Sequence, residues 1–116
     1  MASATVQRDI PHPTRREIRL GSVLHALSDP IRMQMVRELA NPGVELPCSA
    51  FDVPVTKSTA THHFRVLREA GVIEQAYQGT TRMSGLRRDD LDTLFPGLLD
   101  TILEADACQS GRLGLD

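Results

Sequence analysis

The chain contains no tryptophan and one tyrosine, Tyr77, beside Phe51, Phe64 and Phe95. A stacking platform for single-stranded nucleic acid needs several exposed aromatics, so that class is disfavoured. No apolar run approaches the ~20 residues of a membrane span. The amino terminus lacks the basic-then-apolar order of a secretion signal, so a cytoplasmic protein is expected. The chain carries no glycine-rich phosphate loop, nucleophile elbow or complete metal triad, and no enzyme is expected. Internal repeats and low-complexity tracts are absent as well. The 116 residues, 41% hydrophobic, suffice for one domain with a modest core.

The stretch from Val55 to Ile73 carries the most information. Thr56 is a good N-cap, whose hydroxyl can accept a first-turn amide, and Gly71 suits the left-handed turn that ends a helix. Between them Ala60, Phe64, Leu67 and Ala70 form one apolar stripe at helical spacing. Lys57, Ser58, Thr61, His62, Arg65 and Arg68 fall elsewhere around the helix, and all can donate hydrogen bonds. A helix packed on one side and rich in donors on the other suits the DNA major groove, where bases offer acceptors and phosphates attract cations. A solvated amphipathic helix is the plainer alternative.

The surroundings favour the first reading. Val72–Tyr77 and Thr81–Leu86 are β-compatible runs joined by Gln78-Gly79-Thr80, which predicts a hairpin with Arg82 just past its turn. A recognition helix followed directly by a hairpin is a winged helix-turn-helix arrangement. Upstream, Ser28-Asp29-Pro30 places a capping residue before a proline at the first helical position. Ile31, Met35, Val36 and Leu39 then face a core, and Asn41-Pro42-Gly43 ends that helix. Net charge is −2 but unevenly spread: residues 1–56 are neutral, 57–88 carry +4 and 89–116 carry −6. The positive block coincides with the helix and wing, and local field steers a polyanion more than total charge does.

Elsewhere, residues 1–13, with Pro11 and Pro13, are expected as a mobile arm. Thr14-Arg15-Arg16-Glu17 is a capping-box pattern. It opens a helix through Leu27, with Ile18, Val23, Leu24 and Leu27 as core candidates and a bend at Gly21. Val44–Leu46 can supply a short strand. Pro47–Phe51 begins the first helix of the helix-turn-helix, with Asp52-Val53-Pro54-Val55 as its turn. Asp89–Leu94 forms a turn or two, and Pro96 opens a last helix. Phe95, Leu98, Leu99, Ile102 and Leu103 make its apolar face, which we read as a dimer interface shared with the first helix. The expected fold is mainly α with a small β-hairpin, in the order α-α-(β)-α-α-β-β-α. It comprises a domain over 14–107 and a flexible tail over 108–116.

At this point the chain resembles the ArsR-type bacterial winged-helix repressors. The resemblance rests on Leu27-Ser28-Asp29-Pro30-Ile31-Arg32 and on the string from Ser58 to Ile73, and it spans about residues 17–105. It implies a symmetric dimer on double-stranded operator DNA that represses a promoter until a signal, unidentified here, binds. Lys57, Ser58, Thr59, Thr61, His62 and Arg65 are the expected recognition contacts, with Arg82 on the wing and Arg68 as a weaker phosphate contact. The metal sites of such repressors are not matched. Pro47-Cys48-Ser49 offers one thiol where sensors carry a Cys-x-Cys pair, and no histidine follows His63 to complete a site with Asp90 and Asp92. No cofactor is expected. His62 and His63 diverge by ~100° on a helix; His62 faces outward, and His63 packs. His12 and His25 read as surface or satisfied histidines.

Cys48 and Cys108 are expected reduced, as small apolar residues. Some relatives sense oxidants or sulfur species by linking a cysteine near the helix-turn-helix to one on the terminal helix, so a redox- or sulfur-responsive switch through this pair stays open. So does a protein-interaction module that uses the fold without DNA.

Overall fold

The computed structural model of the protein describes residues 10–41 and 43–115. The first nine residues of the expected arm, with Pro42 and Asp116, lie outside them. In chain order come a 3-10 turn (Arg15–Glu17), α1 (Leu20–Leu27), α2 (Pro30–Glu38), β1 (Glu45–Pro47) and a second 3-10 turn (Cys48–Ala50). Then follow α3 (Lys57–Glu69), β2 (Ile73–Gln78), β3 (Thr81–Leu86), α4 (Arg88–Leu94) and α5 (Leu98–Leu113). This is the mainly-α winged helix-turn-helix class. Its antiparallel sheet has the order β1-β3-β2. The hairpin register runs from Ile73 opposite Leu86 to Gln78 opposite Thr81, and β1 adds Glu45 opposite Gly85 on the other edge of β3.

The expected continuous helix from Thr14 to Leu27 is broken. Glu17 Oε1 does accept the Thr14 amide at 2.8 Å, but the box closes only one 3-10 turn. Ile18 and Arg19 are extended, with ψ of 129° and 137°. Ile18 is drawn into the core and packs over Gly71, and that burial outweighs the local preference for helix. The break falls there and not at Gly21. Leu24, expected in the core, is 45% exposed, while Val23, Ala26 and Leu27 are buried.

The helix expected to begin at Pro47 shortens to the single turn Cys48–Ala50. Pro47 is committed to β1, and Phe51 is already anchored edge-on against Phe64, with ring centroids 5.1 Å apart. Too little chain lies between them for an α-helix. Gln34 Nε2 then donates to the Asp52 carbonyl at 2.7 Å, tying the following loop to α2. The tail expected from residue 108 is helical as far as Leu113. No proline interrupts it, and Gly114, at φ 66°, caps its last carbonyls. Within the expected arm, His12 Nε2 accepts the Gln75 amide at 2.9 Å, satisfying a donor on the β2 edge.

The core gathers Val23, Ala26, Met35, Val36, Leu39, Leu67, Val72, Ile73, Leu91 and Leu99, all within 2% of full burial. Burying each large aliphatic among them contributes about 1.5–3 kcal/mol. Leu67 and Phe64 fix the inner face of α3 against this mass, and that fixes which residues point outward.

Candidate nucleic-acid interface

Helix α3 is built as its sequence asks. Thr56 Oγ1 accepts the Thr59 amide at 3.2 Å as N-cap, and His63, Phe64 and Leu67 are buried beneath. Lys57, Ser58, Thr59, Thr61, His62 and Arg65 are all exposed. At the amino end, the hydroxyls of Thr56, Ser58 and Thr59 cluster, with Thr56 donating to Thr59 Oγ1 at 3.0 Å and 3.4 Å from Ser58 Oγ. They surround the free amides of a 13-residue helix, whose positive dipole end attracts anions. Thr61 is not a free donor. Its hydroxyl bonds back to the Lys57 carbonyl at 2.9 Å, so it presents lone pairs and a methyl group outward.

Gly71, at φ 84°, ends the helix and turns the chain into the wing. Arg82 lies opposite Tyr77 across the hairpin. Its Nη2 donates to the Tyr77 hydroxyl at 2.8 Å and its guanidinium lies 5.2 Å from the ring centroid. Tyr77 thus braces the wing cation. Arg68 is turned inward instead. Its Nη1 donates to Gln75 Oε1 at 2.7 Å; Gln75 is buried and passes the contact to Ser84 Oγ at 3.0 Å. Burial, then the nearby Arg82 and Arg65, push the Arg68 pKa below the ordinary arginine value, partly offset by Glu69. The group stays charged at any relevant pH. Arg68 therefore couples α3 to the wing more than it reaches outward.

The positive block is smaller in space than along the chain. Arg87 pairs with Asp90 at 2.9 Å and Arg88 with Asp100 at 2.8 Å, so two of its six cations are matched by the acidic segment that follows. Arg15 also meets Asp90, and Arg37 meets Asp106. Lys57, Arg65, Arg68 and Arg82 remain as the cations of the helix and wing.

The expected dimer residues divide. Leu99 is 2% exposed and belongs to the protomer's own core, while Phe95, Leu98, Ile102 and Leu103 are half-buried. Val23 and Leu27 of α1 and Leu91 line the cleft beside Leu98, Leu99 and Ile102. Beside them on the same side of α1, Leu20 and Leu24 are 47% and 45% exposed.

Cys48 and Cys108 are both free thiols. Burial pushes the Cys48 thiol up, against the opposing pull of Arg82 and a Ser84 hydrogen bond. Among the described residues no group of three His, Cys, Asp or Glu is placed to hold a metal ion. None of their helices is long and apolar enough to cross a membrane.

Sequence reasoning missed Arg32, which is 7% exposed. Its Nε donates to the Ala26 carbonyl at 2.7 Å and its Nη2 to the His25 carbonyl at 3.2 Å, while Nη1 lies 3.2 Å from His63 Nδ1. A signal was present. Arg32, Met35, Val36 and Leu39 are spaced i, i+3, i+4 and i+7, which puts the cation on the apolar stripe.

Residues 27–76 match a family model described as a helix-turn-helix domain. The chain is 37% identical over 84 residues to an uncharacterized HTH-type transcriptional regulator, YceK, of Bacillus subtilis, covering 71% of this chain and 84% of that protein. Among solved structures, an ArsR-like transcriptional regulator from Rhodococcus sp. RHA1 superposes with a TM-score of 0.57 at 23% identity, over 83% of this chain and 91% of that one. A possible transcriptional regulator for arsenical resistance gives 0.56 at 25% identity, over 78% and 97%.

Proposed function

This chain belongs to the helix-turn-helix transcriptional regulators, and from that premise we propose that it is of the ArsR type and acts in the cytoplasm as a homodimeric repressor on double-stranded operator DNA. One observation carries the reading. Lys57, Ser58, Thr59, Thr61, His62 and Arg65 are exposed together on α3, whose opposite face is locked into the core by Phe64 and Leu67. A rigid helix of that kind enters the major groove. Its amino end, with the Thr56, Ser58 and Thr59 hydroxyls and free amides, takes a phosphate. Arg65, two turns in, reaches base edges with its planar fork. Arg82, braced by Tyr77, meets backbone or the minor groove beside it.

The dimer forms through α1 and α5. Leu20 and Leu24 are one turn apart and exposed, and Leu98 and Leu103 are left half-buried by the protomer's own packing. Two symmetric recognition helices then read half-sites about one helical turn apart. Repression follows the family resemblance: a dimer seated on a promoter blocks its use. The redox alternative draws no support from Cys48, whose raised pKa disfavours the reactive thiolate.

The test is selection of duplexes from a randomised library, followed by titration of the enriched duplex over a salt series. The expected result is an inverted-repeat sequence whose log affinity falls linearly with log salt. A protein that binds no duplex even at low salt would be an interaction module on the same fold.

A further inference from the structure

Three helices meet at one buried guanidinium. Arg32 of α2 donates to the carbonyls of His25 and Ala26, both in the last turn of α1. Both carbonyls lie at the helix's negative end, where a cation is well placed; that of His25 also takes the Ser28 amide at 3.1 Å and hydroxyl at 2.7 Å. The remaining arm of the fork points at His63 Nδ1 on α3, itself 8% exposed. Chemistry fixes the protons. A guanidinium only donates, so Nδ1 must accept, and His63 is neutral with its proton on Nε2.

Protonating His63 would therefore do two things at once. The acceptor facing Arg32 would vanish, and a second cation would stand 3.2 Å from the first in a buried site. The charged groups facing His63 are Arg32 and Asp29 of α2, with His62 beside it on α3; α1 contributes only its carbonyls, through Arg32. Asp29 attracts the proton, but its carboxylate is already engaged as the α2 N-cap, taking the amides of Ile31 and Arg32 at 2.8 and 3.1 Å. Burial, with Arg32 and His62 behind it, outweighs Asp29 and holds the histidine below its ordinary 6.5. His63 adjoins exposed His62 and lies one turn from Thr59, so a displacement of the helix backbone at His63 carries two residues of the outer face with it.

We propose that Arg32 and His63 are positioning residues for the DNA-reading helix: they fasten α3 to the carboxyl end of α1, and protonation of His63 undoes the fastening, so DNA binding weakens in acid. This rests on the DNA reading above. The sign is fixed by linkage. The fastening is intact above 6.5 and is lost as pH falls from there through the folded-state value of His63.

The test compares the wild type with His63→Asn, whose Oδ1 can accept from Arg32 but cannot be protonated, and His63→Leu, which has no acceptor. His62 is unchanged in all three. Thermal midpoints without DNA and affinities for one mixed-sequence duplex at fixed salt are measured from well above to well below 6.5. In the wild type both should fall on acidification, by at most about tenfold in affinity per pH unit per protomer. His63→Asn should keep its neutral-pH affinity and lose that slope, and His63→Leu should be weak throughout. Equal acid slopes in all three proteins, with duplex still bound, would sink the fastening and leave the DNA reading standing. No duplex binding at any pH, with a His63-dependent fall in thermal midpoint, would do the reverse. Should the variants not fold, a proton NMR titration of His63 in the wild type decides: a value at or above 6.5 overturns the proposal.

Discussion

Ile18 occupies the space that a side chain on Gly71 would need: a Cβ built there falls 2.5 Å from Ile18 Cγ1 and 2.7 Å from Cδ1. Gly71 also sits at φ 84°, so glycine is required twice over. The contact joins the segment before α1 to the corner where α3 gives way to the wing. Gly71→Ala is expected to lose about 1–3 kcal/mol through strain and overpacking. Urea denaturation reads this directly, and an unchanged midpoint would mean that Ile18 moves aside freely.

Arg65 and Arg68, one turn apart, should behave oppositely in the absence of DNA. Arg68 is bonded into the wing through Gln75 and Ser84. Arg68→Ala should destabilise the fold by about 1.5–3 kcal/mol, the usual range for a hydrogen bond involving a charged group. Exposed Arg65→Ala should stay within about 0.5 kcal/mol. A reversed order in thermal melts would return Arg68 to the outer face.

Dimerisation is expected to depend on α1. Replacing Leu20 and Leu24 with glutamate should leave the protomer folded and split the dimer, because each would bury an unpaired charge at the interface. Leu99→Ala acts on the protomer itself, with a loss of about 2–5 kcal/mol. Sedimentation of the Leu20, Leu24 variant separates the two roles; an intact dimer would place the interface elsewhere.

The Asp90 carboxylate is held below its ordinary 3.8, chiefly by the hydrogen bond from Arg15, with Arg87 adding to it against a smaller desolvation. A depressed acid contributes stability above its unfolded value and loses it as pH falls through the folded one. Asp90→Asn should therefore be less stable than the wild type at neutral pH, by up to about 1 kcal/mol for so accessible a pair. The gap should close below 3.8. Acid titration of both proteins by circular dichroism checks this, and a gap that persists in acid would assign the loss to packing.

Local chemistry made α3 legible in the sequence: the Thr56 cap, the Ala60–Phe64–Leu67–Ala70 stripe and the Gly71 stop all lie within the helix and its ends. The hairpin was legible for the same reason. What failed to show depends on partners distant along the chain. The helix from Thr14 breaks because Ile18 meets Gly71, and the Pro47 segment is shortened by β1 pairing and the Phe51–Phe64 contact. Arg87 and Arg88 belong to a basic block along the chain, but in space Asp90 and Asp100 stand beside them. The spacing of Arg32 puts it on the apolar stripe of α2, but only the carbonyls of α1 reveal what a buried cation does there.

The central claim is that α3 reads sequence while the wing adds affinity, and one comparison tests it most directly. Wild type, Arg65→Ala and Arg82→Ala are titrated at one fixed salt concentration against the selected duplex and a random duplex, and the salt series is then repeated for each. Arg65→Ala should lose about 1–3 kcal/mol more on the selected duplex than on the random one, the discrimination of a bidentate contact to guanine. Arg82→Ala should weaken both alike and lower the salt slope by about one. Equal losses on both duplexes for Arg65→Ala would contradict the claim, making Arg65 a phosphate contact and leaving base reading to Ser58, Thr61 and His62.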